Sequence, residues 1–196
     1  MDAKNMERIA KILSFEVNEP EIAAREIGEK YQNVYSLAVA DTDELASLSH
    51  VGEKGAHLLR LVMSLRSRAG TDSFKLGRKH TEEEIVEFLK SLFFSLPNET
   101  VYLLLLDDKG RVVSCEFVCE GTVNATSILP RKLLELMIKK NSRAAILAHN
   151  HPYGLARPSA EDVDTTARVD ALFKSTDRTL LDHYIIAGNE YCKIDR

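Results

Sequence analysis

His149 and His151 stand two residues apart, and Asp162 follows through a loop punctuated by Pro152, Gly154 and Pro158. Imidazole nitrogens and a carboxylate oxygen suit a borderline cation such as zinc, so this segment alone offers three ligands to one ion. Three protein ligands leave a fourth position for water, the arrangement of a catalytic zinc. The preceding residues, Ala144 to Ala148, are a short apolar run typical of a buried strand. On a strand, residues i and i+2 share a face, so both imidazoles project together. Ser159 lies three residues before Asp162, which is also the spacing of a helix N-cap and its N3 partner. The two roles are compatible, because a carboxylate in the first helical turn sits at the helix mouth and can face the histidines across the loop.

The elements that must position these residues can be read from periodicity. Thr81 and Glu84 form a capping box ahead of Ile85, Phe88, Leu89, Leu92, Phe93 and Leu96, an amphipathic helix that Pro97 ends. Val101 to Leu106 is a central strand, Asp107-Asp108-Lys109-Gly110 a hairpin turn, and Arg111 to Cys119 the returning strand. Pro130 opens a helix through Lys140, followed by a strand at 143–148, the histidine loop and a helix from Ser159 to about Lys174. Asp182 to Ala187 and Tyr191 to Ile194 make a last hairpin around Gly188-Asn189. The order α-β-β-α-β-α-β-β predicts an α/β domain, a mixed β-sheet flanked by helices, over residues 81–196.

Residues 1–70 read as a small all-helical module, and residues 71–80 as a linker. In the module, Glu21 to Tyr31 is helical, and Asp43 is placed to cap a short helix holding Leu45 and Leu48. A second short helix follows Ser49-His50-Val51-Gly52-Glu53-Lys54-Gly55-Ala56, making an αα-hairpin. His50, His57 and His80 are expected on the surface or in the hairpin.

Whole-chain properties narrow the function classes. The chain has 196 residues, 44% of them hydrophobic and 29% charged, which suits one globular domain with a small module. No apolar run approaches the ~18–20 residues that span a bilayer, and no secretory segment is visible, so the expected location is cytoplasmic. A net charge of −4 argues against wide coverage of nucleic acid. Cys115, Cys119 and Cys192 are expected to be reduced thiols, with Cys115 and Cys119 placed to share a strand face. Amidohydrolase barrels need ~250 residues. Zinc deaminases need His-x-Glu and a later Pro-Cys-x-x-Cys, and neither that pair nor His-Glu-x-x-His occurs.

Taken whole, His-x-His, seven residues, Ser, two residues and Asp resembles the JAMM (MPN-type) metallopeptidase motif at every fixed position. Pro152, Gly154 and Pro158-Ser159 resemble the bacterial RadC branch of that superfamily. So do Gly121-Thr122-Val123-Asn124, Pro130-Arg131, Ala148-His149-Asn150-His151-Pro152 and Leu181-Asp182-His183. The resemblance implies a cytidine-deaminase-like sandwich and one zinc per chain on His149, His151 and Asp162. It also implies a glutamate base at the junction between a helix and the first strand. Glu99 holds that place, with Glu116 and Glu120 as rivals on the next strand. Ser159 resembles an oxyanion-stabilising group. His183 is expected to pack in the core or behind the ligands rather than to bind the ion. Asn124 and Arg131 match the family pattern, with no role legible from spacing.

Residues 1–70 resemble the helix-hairpin-helix module found before the RadC domain, through Leu48 to Ala56. Such hairpins hold a DNA phosphate on backbone N–H groups, which implies contacts at Val51, Gly52 and Gly55. Here His50 replaces the usual first glycine, and residues 1–70 carry nine Lys/Arg against eleven Asp/Glu, so there is no basic footprint. Two readings follow. One is a zinc peptidase acting on a peptide or isopeptide carbonyl of an unknown protein substrate. The other is a DNA-associated repair accessory protein with a structural or vestigial metal site. The complete set Glu99, His149, His151 and Asp162 favours the first.

Overall fold

Alternating and continuous apolar runs in the second half of the chain produce a five-stranded sheet in the order β2-β1-β3-β4-β5. The structure, a computed structural model, describes residues 1–121 and 128–195. The strands are β1 (Thr100–Leu106), β2 (Val112–Glu120), β3 (Ala144–Asn150), β4 (Thr179–Ala187) and β5 (Glu190–Lys193). Only β3 and β4 run parallel; the other neighbours are antiparallel, so the sheet is mixed. The described residues form two compact units: Met1–Ala69 with Phe94–Pro97, and Gly70–Phe93 with Asn98–Arg196. Among the described residues no helix is long and apolar enough to cross a membrane.

In the second unit the pleat of β1 sorts side chains to two faces. Val101, Leu103 and Leu105 meet Ala145 and Leu147 of β3 on one face. There α7 (Ile128–Lys139) supplies Leu133 and Met137, and α8 (Ala160–Ser175) supplies Val169 and Phe173. Each fully buried leucine of this layer contributes roughly 1.5–3 kcal/mol. The opposite face carries α6 (Glu82–Phe93), where Phe93 meets Tyr102 edge to face at 5.7 Å. Thr81 caps α6 as predicted: its amide donates to Glu84 Oε2, and the Glu84 amide donates to Thr81 Oγ1. Register in the sheet then places His149 directly opposite Val101, at the end of β3 where α8 begins.

Two expectations about β2 and its surroundings change. A β-bulge skips Val118, so Cys119 pairs with Val101 but Cys115 pairs with Leu104. Val101 and Leu104 face opposite ways, so the two thiols lie on opposite faces rather than sharing one. Burial pushes the Cys115 thiol up to about 12, which makes it inert. His80 is not a surface residue: its ring is covered, stacked on Phe74 at 3.8 Å between centroids.

The first unit is built from α1 (Ala3–Leu13), α2 (Pro20–Lys30), α3 (Val34–Ala38), α4 (Thr42–Ala46) and most of α5 (Gly52–Ser73). Its core includes Leu13, Ala23, Ile27, Leu37, Leu45, Ala56 and Leu59, while Ile22 stays exposed. Asp41, not Asp43, caps α4, because its carboxylate lies under the amides of Asp43 and Glu44. Nor is α5 short: it runs on through Ser73, into the stretch expected to be a linker. Gly70 allows this, because a Cβ there would meet Ser91 Oγ of α6 at 2.1 Å. Residues 77–78 then bond along the start of β2, with Gly77 N donating to Val112 O and Val112 N to Arg78 O.

Candidate metal centre

The strand parity read from the sequence holds: His149 and His151 leave the end of β3 on one side. Their Nε2 atoms lie 3.1 Å apart, and His149 Nε2 lies 3.2 Å from Asp162 Oδ1. His151 Nε2 is 3.7 Å from Asp162 Oδ2, and all three donor atoms fall within 4.8 Å of one another. Two nitrogens held ~2.0–2.1 Å from a tetrahedral zinc are about 3.3–3.4 Å apart, so the spacing fits a single ion. His149 and Asp162 are buried and His151 is half-buried, which leaves one side of the cluster approachable.

Local folding fixes each ligand. His151 Nδ1–H donates to the Leu155 carbonyl at 2.9 Å, which curls the loop back and leaves Nε2 without a proton in the neutral ring. Gly154 permits the curl, since a Cβ there would sit 3.3 Å from His151 Cβ. Asp162 is both the N3 residue of α8 and a member of the cluster. Ser159 N and Oγ donate to its Oδ2 at 2.8 and 2.7 Å, and Asp162 N donates back to Ser159 Oγ at 3.1 Å. The cap thus holds Oδ2 and leaves Oδ1 toward His149. Burial works to raise the Asp162 carboxyl, but His149 beside Oδ1 and the hydrogen bonds from Ser159 outweigh it. The group is held well below the usual carboxylate range, ionised and ready to bind a cation.

The structure places the other predicted residues as follows. Glu99 is half-buried and immediately precedes β1; extending the β1–β3 register by two sets it opposite His151. Its carboxylate is outside the group of three donors within 4.8 Å. The rivals are committed elsewhere: Glu116 Oε1 pairs with Lys140 Nζ at 2.8 Å, and Glu120 Oε1 accepts from Asn98 Nδ2 at 2.6 Å. The Ser159 hydroxyl is engaged in the cap. Arg131 is an exposed partner of Glu135 on α7, away from any ligand role. Residues 122–127, which include Thr122, Val123 and Asn124 of the family pattern, lie outside the described residues.

One residue near the site had escaped a functional reading, and His183 lies where it was expected, behind the ligands. Asn150, buried between the histidines in sequence, accepts from Thr100 N at 2.7 Å and donates to Asn98 O at 3.2 Å. Those groups flank Glu99, whose own carbonyl accepts from Gly121 N at 2.7 Å. Asn150 therefore pins the backbone on both sides of Glu99. A buried amide between two candidate ligands was the available signal. His183 is fully buried behind His149, its Nε2 at 2.8 Å from His149 Nδ1. Burial, with His149 beside it, pushes its pKa far below the usual imidazole value and keeps it neutral.

The hairpin residues do not gather into a comparable site. Val51 is buried, and Gly55 is packed so that a Cβ would meet Val17, Val51 and Leu13 side chains at 3.1–3.3 Å. Gly52 adopts φ +62° at the start of α5. The turn amides of Ser49 and His50 donate to the Glu26 carboxylate at 2.8 and 3.0 Å. A carboxylate of the chain itself thus sits at the turn, and the Val51 and Gly52 amides donate to the Leu48 carbonyl at 3.2 and 3.3 Å.

A mixed sheet between helices, with two strand-end histidines and a helix-cap aspartate converging, defines an α/β domain with a candidate metal site. Residues 79–195 match the RadC-like JAB domain family, and the chain belongs to that family. It is also similar to a UPF0758 protein of Idiomarina loihiensis, 32% identical over 168 residues that cover 85% of this chain and 75% of the relative. A UPF0758 protein of Legionella pneumophila (strain Lens) is 31% identical over 172 residues, covering 87% of this chain and 76% of its own. One from Janthinobacterium sp. (strain Marseille) is 29% identical over 166 residues, 84% of this chain and 74% of the relative.

Proposed function

We propose that this chain is a zinc-dependent hydrolase of JAMM type that cleaves a peptide or isopeptide bond in a protein substrate. The observation that carries the reading is the convergence of His149 Nε2, His151 Nε2 and Asp162 Oδ1, three acceptors facing one another at the mouth of the sheet. Bound there, zinc would acidify water to a pKa of about 7 and polarise a carbonyl. The remaining chemistry belongs to the chain. Glu99, on the segment pinned by Asn150, takes the proton of the attacking water and returns it to the leaving nitrogen. Ser159 keeps Asp162 oriented through the cap. Its hydroxyl also stands beside the cluster, where it can turn from Asp162 Oδ2 to the carbonyl oxygen as that oxygen gains charge.

The test pairs metal analysis with hydrolysis. Glu99→Gln should bind zinc as the parent does and lose cleavage of a fluorogenic peptide mixture. Loss of zinc in Glu99→Gln, or full hydrolysis without Glu99, contradicts the assignment. The alternative, a DNA-associated accessory role through the hairpin, predicts salt-dependent DNA binding. Glu26 at the turn amides and the acidic balance of residues 1–70 weigh against it.

A further inference from the structure

Behind the ligand His149 runs a buried chain of hydrogen bonds that returns to the ligand Asp162. His149 Nδ1 lies 2.8 Å from His183 Nε2, and His183 Nδ1 lies 2.7 Å from Thr166 Oγ1. Thr166 Oγ1 lies 2.6 Å from the Asp162 carbonyl oxygen. His183 and Thr166 are both 2% exposed, so water does not compete for these groups. With both imidazole rings neutral, the donors and acceptors admit one order. A carbonyl only accepts, so Thr166 gives it the single hydroxyl proton. The Thr166 oxygen must accept from His183 Nδ1–H. A neutral His183 has no second proton, so its Nε2 accepts from His149 Nδ1–H. His149 Nε2 is left with its lone pair, 3.2 Å from Asp162 Oδ1.

We infer that Thr166 and His183 are positioning residues that dictate which nitrogen of His149 carries the proton, so that Nε2 is presented bare to a divalent cation. The inference rests on the metal-site reading for the identity of the ligand atom. The usual partner behind a ligand histidine is a carbonyl or carboxylate, which can only accept. Here the partner is another histidine, which can accept or donate, so its own proton must be placed by a third group. Thr166 does this through its bond to the Asp162 backbone, and the second ligand thereby helps orient the first. Without the Thr166 oxygen, His183 is free to carry its proton on Nε2. That proton would point at His149 Nδ1 and force the His149 proton onto Nε2, in the ligand position.

The experiment is an imidazole two-bond ¹H–¹⁵N correlation spectrum of the 196-residue chain, with the His183 signals among its six histidines assigned by His183→Gln. His183 is expected to show a protonated Nδ1 and a bare Nε2, with or without added zinc. Thr166→Val should disturb that pattern and weaken zinc binding by about 10–100-fold, the range for partners of metal ligands, while Thr166→Ser preserves both. A parental His183 protonated on Nε2 overturns the inference. So does a Thr166→Val protein that keeps the pattern and binds zinc within about twofold of the parent. Should Thr166→Val not fold, the parental spectrum decides alone. A parent that binds no zinc would sink the hydrolase reading, whereas the place of the His183 proton is read without zinc and is judged separately.

Discussion

The hairpin of the first unit and the histidine cluster of the second both gather polar groups near a helix N-terminus, and they resolve them in opposite ways. At the hairpin, two backbone donors, Ser49 N and His50 N, meet an internal acceptor, the Glu26 carboxylate. At the cluster, three acceptors meet one another: His151 Nδ1 is bonded to Leu155 O, His149 Nδ1 to His183, and the bare nitrogens turn toward Asp162. Donors already matched by the chain need no ligand. Acceptors facing acceptors repel until a proton or a cation enters between them. Partner chemistry, more than motif resemblance, separates the two regions.

Breaking the cluster should give the largest effect. Asp162→Asn keeps an oxygen for the Ser159 amide and so keeps the cap, but removes the ligand charge. Its zinc affinity should fall at least about 100-fold, beyond the range for outer partners, by competition with a chromophoric chelator. Glu99→Gln comes next: hydrolysis should drop by about 10²–10⁴-fold with zinc affinity unchanged. Asn150→Ala tests whether the pinned backbone matters, and should lower turnover less than Glu99→Gln while leaving zinc bound.

The hairpin side of the comparison predicts changes in stability rather than in ligand binding. Gly55→Val must displace Leu13, Val17 or Val51 and should cost about 1–3 kcal/mol in denaturant unfolding. Glu26→Gln leaves one turn amide poorly matched and should cost about 1 kcal/mol. Burial works to raise the Glu26 carboxyl, but the amides of His50 and Ser49 outweigh it and hold the group below its ordinary value. A depressed carboxyl stabilises the fold fully above the ordinary glutamate pKa of about 4.3, and that contribution is lost as pH falls through the lower folded value. The difference between parent and Glu26→Gln should therefore be constant at neutral pH and vanish in acid. A difference that grows in acid would contradict the Glu26 assignment.

Much of the cluster was legible because it depends on local rules. Strand parity put His149 and His151 on one face, and the Ser159–Asp162 spacing marked the start of α8. The element order yielded the mixed sheet with helices on it. What escaped depends on which distant segments meet. The antiparallel pairing of β1 with β3 brings Asn150 to Thr100 across 50 residues, and the parallel pairing of β3 with β4 decides that His183, expected in the core or behind the ligands, stands behind His149 across 34. No periodicity encodes either meeting. Cys115 and Cys119 were misread because one bulge at Val118 inverts the alternation beyond it. The reach of α5 was hidden because Gly70 looks like a linker residue until Ser91 is seen against it. Glu99 drew support only from resemblance, since a glutamate at a strand start carries no spacing signal of its own.

The most direct test of the central claim is zinc stoichiometry by elemental analysis on the 196-residue chain and its His149→Ala variant, purified and reconstituted side by side. The account predicts about one zinc per parental chain and none above background in a folded His149→Ala protein. A folded parent that takes up no more zinc than His149→Ala would contradict it.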